Sequence, residues 1–482
     1  MEQAAYERMK GFFSPRRIAV VGASAKNQWF GNLIKYARHY GAAGQFIPVN
    51  PRATEVAGVR AVASVGDLPA GEIDFAVIMV KSEAVLRTVE ELLHKGTRNI
   101  LLISSGFAEM GEEGTVKQKQ LQHFCRENDI LLMGPNCLGF MNFSDRANVF
   151  SGGSVEGELI AGPIGLVGQS GASSEMIASK LLKKSLGISL YTATGNEAVI
   201  TAEDCMDYLV NDSRTRVITA FMEGFRNIER MKDIARQAAI RQIPIIVLKV
   251  GRSERGIQAA RSHTGALAGN DAAMDGFFRQ HGIIRVESIE ELVETASVFS
   301  HCRLPRGGRL GICTLSGGLC GLYADLCSRC GIELPRLADE TIASLKAVLP
   351  DFAQPDNPLD VTGSGFLQGM GEILKILLQD KNLDMIAALS FAPAGEGDEM
   401  MFAFNETFFP LAREADKPVV ALSFREMTDY ARRYYEKNGM YYIEHPEDSF
   451  KAISHLINYA KFQRSFSDSA ARSGAEASGA RL

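Results

Sequence analysis

The fold is decided by the stretch Gly162-Pro-Ile-Gly-Leu-Val-Gly-Gln-Ser-Gly171. Its apolar residues predict a buried strand of a parallel sheet, and the run that follows, residues 172–184, predicts a helix. Ser170 and Gly171 form the turn between the two. Because the start of a helix presents unpaired backbone N–H groups and a positive dipole end, we expect this turn to bind an anion.

A second copy of this stretch occurs later in the chain, as Gly308-Arg-Leu-Gly-Ile-Cys-Thr-Leu-Ser-Gly317. Both copies continue into a predicted helix and are followed by further apolar strands. They differ where chemistry is expected, since Met222-Glu223-Gly224 in the first copy corresponds to Phe391-Ala-Pro-Ala394 in the second. We infer a duplicated α/β fold in which only the first copy has the reactive residues.

The N-terminal part of the chain predicts a separate, doubly wound domain. Residues 16–22, Arg-Arg-Ile-Ala-Val-Val-Gly, read as a strand that runs into a glycine turn, which is how a Rossmann-like unit begins. Four more strands are predicted, each followed by small, polar or proline residues: 45–49, 75–80, 99–103 and 131–133. Since parallel strands end at one edge of their sheet, these loops are expected to line a ligand crevice.

A histidine follows the last predicted strand of the first copy. The strand at residues 245–250 leads into the loop Arg261-Ser-His-Thr-Gly-Ala-Leu-Ala-Gly269. Ser170, Glu223 and His263 therefore all follow strands of one parallel sheet, and we expect them to share its carboxyl edge. A carboxylate beside a histidine fixes the tautomer and stabilises the charged ring. Taken singly, His263 and Glu223 are equally compatible with ordinary loop positions.

A series of motifs along the chain carries a family resemblance. In order, they are Gly22-Ala-Ser24, Gly106-Phe-Ala-Glu109, Gly134-Pro-Asn-Cys-Leu-Gly139, Gln169-Ser-Gly171, Gly195-Asn-Glu197, Glu223-Gly224, Ser262-His-Thr-Gly-Ala-Leu-Ala-Gly269 and Asn357-Pro-Leu-Asp360. Together they resemble the nucleoside-diphosphate-forming acyl-CoA synthetases of the succinyl-CoA synthetase superfamily. The resemblance is strongest to the α subunit of ADP-forming acetyl-CoA synthetase, and it extends over residues 14–460.

The resemblance implies three α/β domains followed by a tail. A Rossmann-like CoA-binding domain is expected at residues 1–148, a flavodoxin-like ligase domain at 160–302 and a second flavodoxin-like domain at 306–464. Residues 465–482 are rich in serine, alanine, glycine and arginine, so we expect a disordered tail there.

The resemblance also implies a site. His263 would be phosphorylated transiently, Glu223 would hold its ring, and the phosphoryl group would lie at Gln169, Ser170 and Gly171. Coenzyme A, the cofactor expected on this chain, would contact Gly22, Ala23, Ser24, Lys26, Asn50, Pro51, Lys81, Ser82 and Asn136.

The implied activity interconverts a carboxylic acid, CoA and a nucleoside triphosphate with acyl-CoA, nucleoside diphosphate and phosphate. The intermediates would be an acyl phosphate and phospho-His263. In this family an ATP-grasp module binds the nucleotide and Mg²⁺, and every predicted unit here is Rossmann- or flavodoxin-like instead. We therefore expect an ATP-grasp β-type subunit as partner, a hetero-oligomer, and a small carboxylic acid or acyl-CoA as substrate.

Composition excludes several other classes. The net charge of −5 without a basic run argues against nucleic acid as a partner, and the short apolar runs argue against a membrane-spanning protein. The N-terminus lacks a secretory pattern, so we expect a cytoplasmic protein.

The cysteine pair in Cys327-Ser-Arg-Cys330 has no second pair to complete a zinc site, and no metal site is expected. A dinucleotide dehydrogenase is disfavoured because the second strand ends in Asn50-Pro51 rather than an acidic residue. The alternative that remains open is a CoA- or acyl-CoA-binding sensor or scaffold without ligase turnover.

Overall fold

The computed structural model describes residues 1–39, 45–256, 258 and 271–479, with the side chains of 364–368 and 470–479 left aside. The chain divides into two compact units, Met1–Glu287 and Ser288–Leu482. The first unit contains two of the three large sheets, and the second unit contains the third.

The first sheet is the one that the N-terminal strands predict. Its elements are α1 (Gln3–Phe13), β1 (Ile18–Val21), α2 (Gln28–His39), β2 (Phe46–Val49), the short pair β3 (Glu55–Val56) and β4 (Val59–Arg60), β5 (Phe75–Ile78), α3 (Ser82–His94), β6 (Asn99–Leu102), α4 (Glu112–Glu127) and β7 (Leu131–Met133). The sheet order is β2-β1-β5-β6-β7, and all its pairs are parallel. The five predicted strands are confirmed, and their carboxyl ends meet at one edge.

The second sheet is built around the stretch that decides the fold. Its elements are β8 (Gly139–Asn142), β9 (Ala147–Phe150), β10 (Ala161–Gly168), α5 (Gly171–Lys183), β11 (Ile188–Ala193), α6 (Ala202–Asn211), β12 (Val217–Met222), α7 (Ile228–Ile240), β13 (Ile245–Lys249), α8 (Asp271–His281) and β14 (Ile284–Val286). The order is β14-β13-β12-β10-β11-β8-β9. Strands β11, β12 and β13 are buried along their whole length, as the continuous apolar runs of a covered parallel sheet require.

The third sheet repeats the second. Its unit contains α9 (Ile289–His301), β15 (Leu310–Thr314), α10 (Gly317–Cys330), α11 (Asp339–Val348), β16 (Leu359–Asp360), α12 (Thr362–Gln379), β17 (Met385–Ser390), α13 (Glu399–Glu414), β18 (Val419–Ser423), α14 (Asp429–Lys437), β19 (Tyr442–Ile443) and α15 (Pro446–Gly479). The order β16-β15-β17-β18-β19 is parallel throughout. The duplicated α/β pattern that the sequence predicts is therefore present in the structure.

The predicted boundary at residue 148 falls inside the second sheet. Strands β8 and β9, which include residues on both sides of it, form an antiparallel pair that joins β11, with Asn142 opposite Leu190. The physical reason is that β8 and β9 bury all their side chains and complete the hydrogen bonds at the edge of β11. Residues 139–142 and 147–150 thus belong to the second sheet.

Two helices lie at the other predicted boundaries. Helix α9 is at the end of the predicted domain 160–302 and lies in the second compact unit, where it packs on α15. Helix α15 continues to Gly479, although a disordered tail is predicted from residue 465; residues 480–482 lie outside the described part. The stretch after residue 446 has no proline, and the Phe462 and Phe466 rings stack across one helical turn.

Among the described helices, none is both long and apolar enough to span a membrane.

Candidate active site

A cavity of about 710 Å³ opens in the first unit, where the carboxyl ends of the first and second sheets meet. Its wall comes from the loops that follow β1, β5, β6, β7, β10 and β11. Six predicted site residues line it: Lys81, Ser82, Asn136, Gln169, Ser170 and Gly171. The structure thus brings the predicted phosphate turn together with part of the predicted CoA site, in a volume typical of small-molecule and cofactor pockets.

The other predicted CoA residues lie outside the wall of this cavity, on the same edge of the first sheet. They are Gly22, Ala23, Ser24, Lys26, Asn50 and Pro51. Gly22 has φ of +89°, and a side chain there would come within 3.0 Å of the Met79 carbonyl, which adjoins the cavity. The Asn50 side-chain amide donates to the Ala23 carbonyl at 2.6 Å and so ties the two loops together.

The side-chain amide of Gln169 is hydrogen-bonded to the protein at both its oxygen and its nitrogen. Its Oε1 accepts hydrogen bonds from the backbone N–H of Glu223 at 2.6 Å and of Gly224 at 3.0 Å. Its Nε2 donates to the Gly224 carbonyl at 2.8 Å and to Glu197 Oε1 at 3.0 Å. Because the protein itself uses both ends of this buried amide, Gln169 positions the turn at 223–224 rather than offering its side chain to a ligand.

Ser170 and Gly171 form the start of α5. Ser170 is the N-cap residue, and its hydroxyl contacts Ser173 Oγ at 3.1 Å instead of capping a backbone N–H. A side chain on Gly171 would clash with Leu138 at 2.7 Å, so glycine is needed for this close approach. The first N–H groups of a helix have no partner inside the helix, and here they adjoin the cavity. The binding of an anion at this helix start stays a prediction.

Glu223 follows β12 and is buried, with 7% of its surface exposed. Its backbone is held by Gln169, so the carboxylate lies at the same sheet edge as Ser170. His263 and the rest of the loop 259–270 lie outside the described residues. The contact between Glu223 and His263 stays a prediction.

Glu197 is a site residue that reasoning from the sequence did not single out. It is buried with a φ of +59°, and its Oε1 accepts from Gln169, from Thr194 Oγ1 at 3.0 Å and from the Ala202 N–H at 3.0 Å. Arg226 Nε donates to Oε2 at 3.0 Å. Burial raises the pKa of Glu197, and Arg226 offsets only part of that effect. The sequence indicated Glu197 only as part of the motif Gly195-Asn-Glu197, because the spacing of a motif does not show which residues will hydrogen-bond to it.

Asn196, in the same motif, connects the two sheets of the first unit. Its side-chain amide donates to Glu109 Oε2, while Glu109 Oε1 accepts from the N–H of Gly106 at 2.6 Å and of Phe107 at 3.1 Å. Burial opposes the charge on Glu109, but these hydrogen bonds more than offset it and lower the pKa of the carboxyl. The loops after β6 and β11 are thereby locked together at the cavity wall.

Trp29 is the second residue that the sequence reasoning missed. It is the only tryptophan of the chain, it lines the cavity near the start of α2, and 47% of its surface is exposed. A large aromatic ring held half open beside a pocket is a common contact for a ligand. Its signal was the presence of a single bulky aromatic residue at the first helix after the glycine turn.

Two protein families match the chain. The CoA binding domain matches residues 16–142, and the succinyl-CoA ligase like flavodoxin domain matches residues 161–299. These matches cover the first sheet and most of the second, and they include every residue that lines the cavity.

Several known proteins are similar over almost the whole chain. The alpha subunit of acetate–CoA ligase [ADP-forming] II from Pyrococcus furiosus is 34% identical over 454 residues, which are 93% of this chain and 97% of that protein. A trans-feruloyl-CoA synthase from an unknown prokaryotic organism is 31% identical over 93% of this chain and 64% of its own length. The solved acetyl-coenzyme A synthetase 1 of Ca. Korarchaeum cryptofilum, in complex with phosphate and ADP, has a TM-score of 0.81 and 28% identity, covering 95% of this chain and 98% of that one.

Proposed function

The chain belongs to the family of the ADP-forming acetate–CoA ligases, and from this premise we propose that it is the phosphohistidine-carrying, α-type subunit of its acyl-CoA synthetase. As a member of the family it is a ligase with a CoA-binding domain. The observation that carries the proposal is the cavity in which Lys81, Ser82 and Asn136 meet the start of α5. We propose that CoA and the phosphoryl group bind there side by side.

The proposed reaction has two steps on this chain. In the direction of synthesis, the N–P bond of phospho-His263 breaks while a carboxylate oxygen of the acid forms an O–P bond, which gives an acyl phosphate. The CoA sulfur then attacks the acyl carbon, a C–S bond forms, the C–O bond to phosphate breaks, and the thiol proton leaves with the phosphate. The N–H groups at the start of α5 would hold the phosphoryl oxygens in both steps.

Glu223 would orient the His263 ring and stabilise its positive charge. The support for this role is the way in which the structure holds Glu223. The Gln169 amide oxygen accepts hydrogen bonds from the backbone N–H groups of residues 223 and 224. Glu197 in turn accepts from the Gln169 amide nitrogen and from the Thr194 hydroxyl, and so holds Gln169 in place. A rigid support of this kind is what a residue needs when it positions another group for reaction.

The nucleotide would be bound elsewhere. The Pyrococcus furiosus relative is named as an alpha subunit, and the present chain spans 97% of it. We propose that nucleotide and Mg²⁺ bind to a separate ATP-grasp β-type subunit, so that the working enzyme is a hetero-oligomer in the cytoplasm. The substrate would be a small carboxylic acid or its acyl-CoA.

The first test uses lysate of the native source, so that any partner is present. With γ-labelled nucleoside triphosphate, we expect this chain to take up phosphate that is labile in acid and stable in alkali, and the His263→Ala variant to take up none. CoA binding to the purified chain would be measured in parallel through the emission of Trp29, the only tryptophan. CoA binding without any label on the wild type would overturn the proposal and favour the CoA-binding sensor or scaffold.

A further inference from the structure

Glu175 is a buried carboxylate in the wall of the cavity, and the reaction described above gives it no role. It lies in α5, four residues after Gly171, and both residues line the cavity. Only 8% of the surface of Glu175 is exposed. Because burying a charge is costly unless hydrogen bonds or an opposite charge compensate for it, we asked what completes this carboxylate.

The protein satisfies one of the two carboxylate oxygens. Oε1 of Glu175 accepts a hydrogen bond from the Ser154 N–H at 2.7 Å. A side chain at residue 152 would come within 2.6 Å of Oε1, so Gly152 leaves room for the carboxylate. Among the described residues, Oε2 has no hydrogen-bond partner and Glu175 forms no ion pair. Since an ionised carboxylate only accepts hydrogen bonds, the group that completes Glu175 has to be a donor.

Two phenols lie near the carboxylate without satisfying it. Burial raises the pKa of Tyr36 and of Tyr191, and the charge of Glu175 adds a smaller effect in the same direction. The Tyr191 hydroxyl is directed to the Gly171 carbonyl, at 3.5 Å, instead of to Glu175. Both phenols are neutral and supply no opposite charge.

The fold itself does not require an acidic residue at this position. Helices α5 and α10 start at equivalent glycines, Gly171 and Gly317, so the counterpart of Glu175 in the second copy is Gly321. Helix α10 therefore forms without a carboxylate there. The strand registers of the two sheets agree with this alignment, and they make further pairs of residues equivalent: Gly165 and Gly311, Ile218 and Ile386, Glu223 and Phe391.

The position of Glu175 along α5 determines which part of a substrate it can reach. A helix rises about 1.5 Å per residue, so Glu175 lies about 6 Å along the axis from Gly171, and residues four apart share one face of a helix. In the proposed reaction the phosphoryl group is held at the start of α5, and the acyl group of the acyl phosphate is bonded to it. A group a few carbons along the acid therefore comes within reach of Glu175.

We propose that Glu175 selects the substrate of this enzyme, a short carboxylic acid whose chain bears a hydrogen-bond donor, either a hydroxyl or an ammonium group. Oε2 would accept from that donor while the carboxylate of the acid takes the phosphoryl group. A methyl group in the same place would leave Oε2 unpaired, and a second carboxylate would be repelled. The inference rests on the proposed function, since it names the class of acid that the same site takes.

The test uses the enzyme purified with its partner and acids of the form X–CH₂–CH₂–COO⁻, which differ only in the end group X. The end group is methyl in butyrate, hydroxyl in 3-hydroxypropionate, ammonium in β-alanine and carboxylate in succinate, and the series with one carbon fewer and one carbon more are assayed alongside. In one of these series, we expect the hydroxyl or the ammonium acid to exceed the methyl acid by about 10- to 100-fold in kcat/KM for thioester formation, and the dicarboxylate to be used least. The hydroxyl and ammonium acids distinguish the two kinds of donor.

Glu175→Gln should remove this preference. The glutamine oxygen can still accept from the Ser154 N–H, but the amide then presents its nitrogen, a donor, where the carboxylate had Oε2. We expect the hydroxyl and ammonium acids to come within about threefold of the methyl acid in kcat/KM, and the KM for CoA to stay as in the wild type.

The matched control is Glu203→Gln. Glu203 is also a buried glutamate near the start of a helix, α6, and its Oε1 accepts from the backbone N–H groups of Arg226 at 2.5 Å and of Asn227 at 3.0 Å. It does not line the cavity. We expect this substitution to lower stability and to leave the preference among the acids unchanged.

The outcomes separate the inference from the proposed function. If the wild type neither labels His263 nor forms a thioester with any acid, the proposed function itself fails. If it labels His263 but uses none of these acids, or uses the methyl acid as readily as its analogues in every series, the function stands and the inference is refuted. A Glu175→Gln enzyme that keeps the wild-type preference also refutes it, as does one whose KM for CoA rises equally with every acid, since the donor would then belong to CoA.

A second variant applies if Glu175→Gln is unfolded by circular dichroism. Glu175→Asp keeps the charge and withdraws the carboxylate by one methylene group. A folded aspartate variant with a reduced preference for the hydroxyl or ammonium acid supports the role of Glu175, and one with the wild-type preference refutes it.

Discussion

The two copies of the duplicated fold begin a helix with the same residues and in different surroundings. Ser170-Gly171 starts α5 at the wall of the cavity. Ser316-Gly317 starts α10, where a side chain on Gly317 would come within 3.3 Å of Asp360 Oδ2. A carboxylate at the positive end of a helix is favourable and repels any other anion. The start of α10 therefore has a carboxylate beside it, whereas the start of α5 lies at the wall of the cavity.

The difference extends across the whole edge of each sheet. In the second sheet, Gln169 and Glu223 are joined in a hydrogen-bond network. In the third, Phe391 occupies the position equivalent to Glu223, is 8% exposed, and packs edge-to-face on Phe404 at 5.4 Å. Equivalent positions in the two sheets thus hold a polar network in one copy and apolar packing in the other. The predictions that follow exchange or remove the residues that make this difference.

The largest effect is expected from Glu223→Gln, which makes the edge of the second sheet neutral at that position. The shape and the backbone bond to Gln169 are retained, while the charge that would stabilise the His263 ring is lost. Labelling of His263 from γ-labelled nucleoside triphosphate should slow by about 10²- to 10⁴-fold. The rate is measured in rapid-quench experiments on the complex with its partner.

The control for this variant is the equivalent position of the other copy. Phe391→Leu alters only apolar packing in the third sheet and should leave the rate of labelling unchanged, with a small loss of stability. A Glu223→Gln enzyme that labels at the wild-type rate would show that the polar edge of the second sheet is not the reactive one.

A smaller effect is expected from Gln169→Leu, which installs the residue of the third sheet. The substitution removes both hydrogen bonds to the N–H groups of Glu223 and Gly224 and the donor to Glu197. We expect the free energy of unfolding to fall by about 2–4 kcal/mol, because buried polar groups lose their partners. Turnover should fall about 10- to 100-fold as the 223–224 turn loosens. Urea unfolding and steady-state rates check the two effects separately.

The reverse substitution, Leu315→Gln in the third sheet, is the control for Gln169→Leu. Leu315→Gln puts the amide into the third sheet, which has no carboxylate at the position of Glu223, and we expect no gain in phosphate binding. A Gln169→Leu enzyme with wild-type turnover would contradict the positioning role of Gln169, even if its stability falls as expected.

Sequence patterns predicted the sheets better than they predicted the site. Strand β12, Val217–Met222, is apolar throughout and buried throughout, so its position follows from the pattern alone. The pairing of β8 with β11, and of β9 with β8, does not, since the sequence of a short buried strand does not indicate which sheet the strand joins. The turn between β10 and α5 was predictable because the pattern of strand, glycine and helix is local. Glu197 and Arg226 were not, because their contact joins loops that meet only in the folded chain.

The smallest effect is expected from Asp360→Asn, which removes the carboxylate from the start of α10. Burial, and after it the nearby Asp360, raise the pKa of the Cys320 thiol to about 11. Loss of the negative charge favours the thiolate, so the pKa of Cys320 should fall, and alkylation by iodoacetamide at pH 9 should become about two- to fivefold faster. The rate is followed by mass spectrometry of the Cys320 peptide, with Cys320→Ser as the blank.

Turnover of the complex by the Asp360→Asn enzyme should not change, because this edge of the third sheet has neither the glutamine nor the glutamate of the other copy. An Asp360→Asn enzyme with altered turnover would mean that the third sheet takes part in the reaction, and the contrast between the two helix starts would then be one of degree.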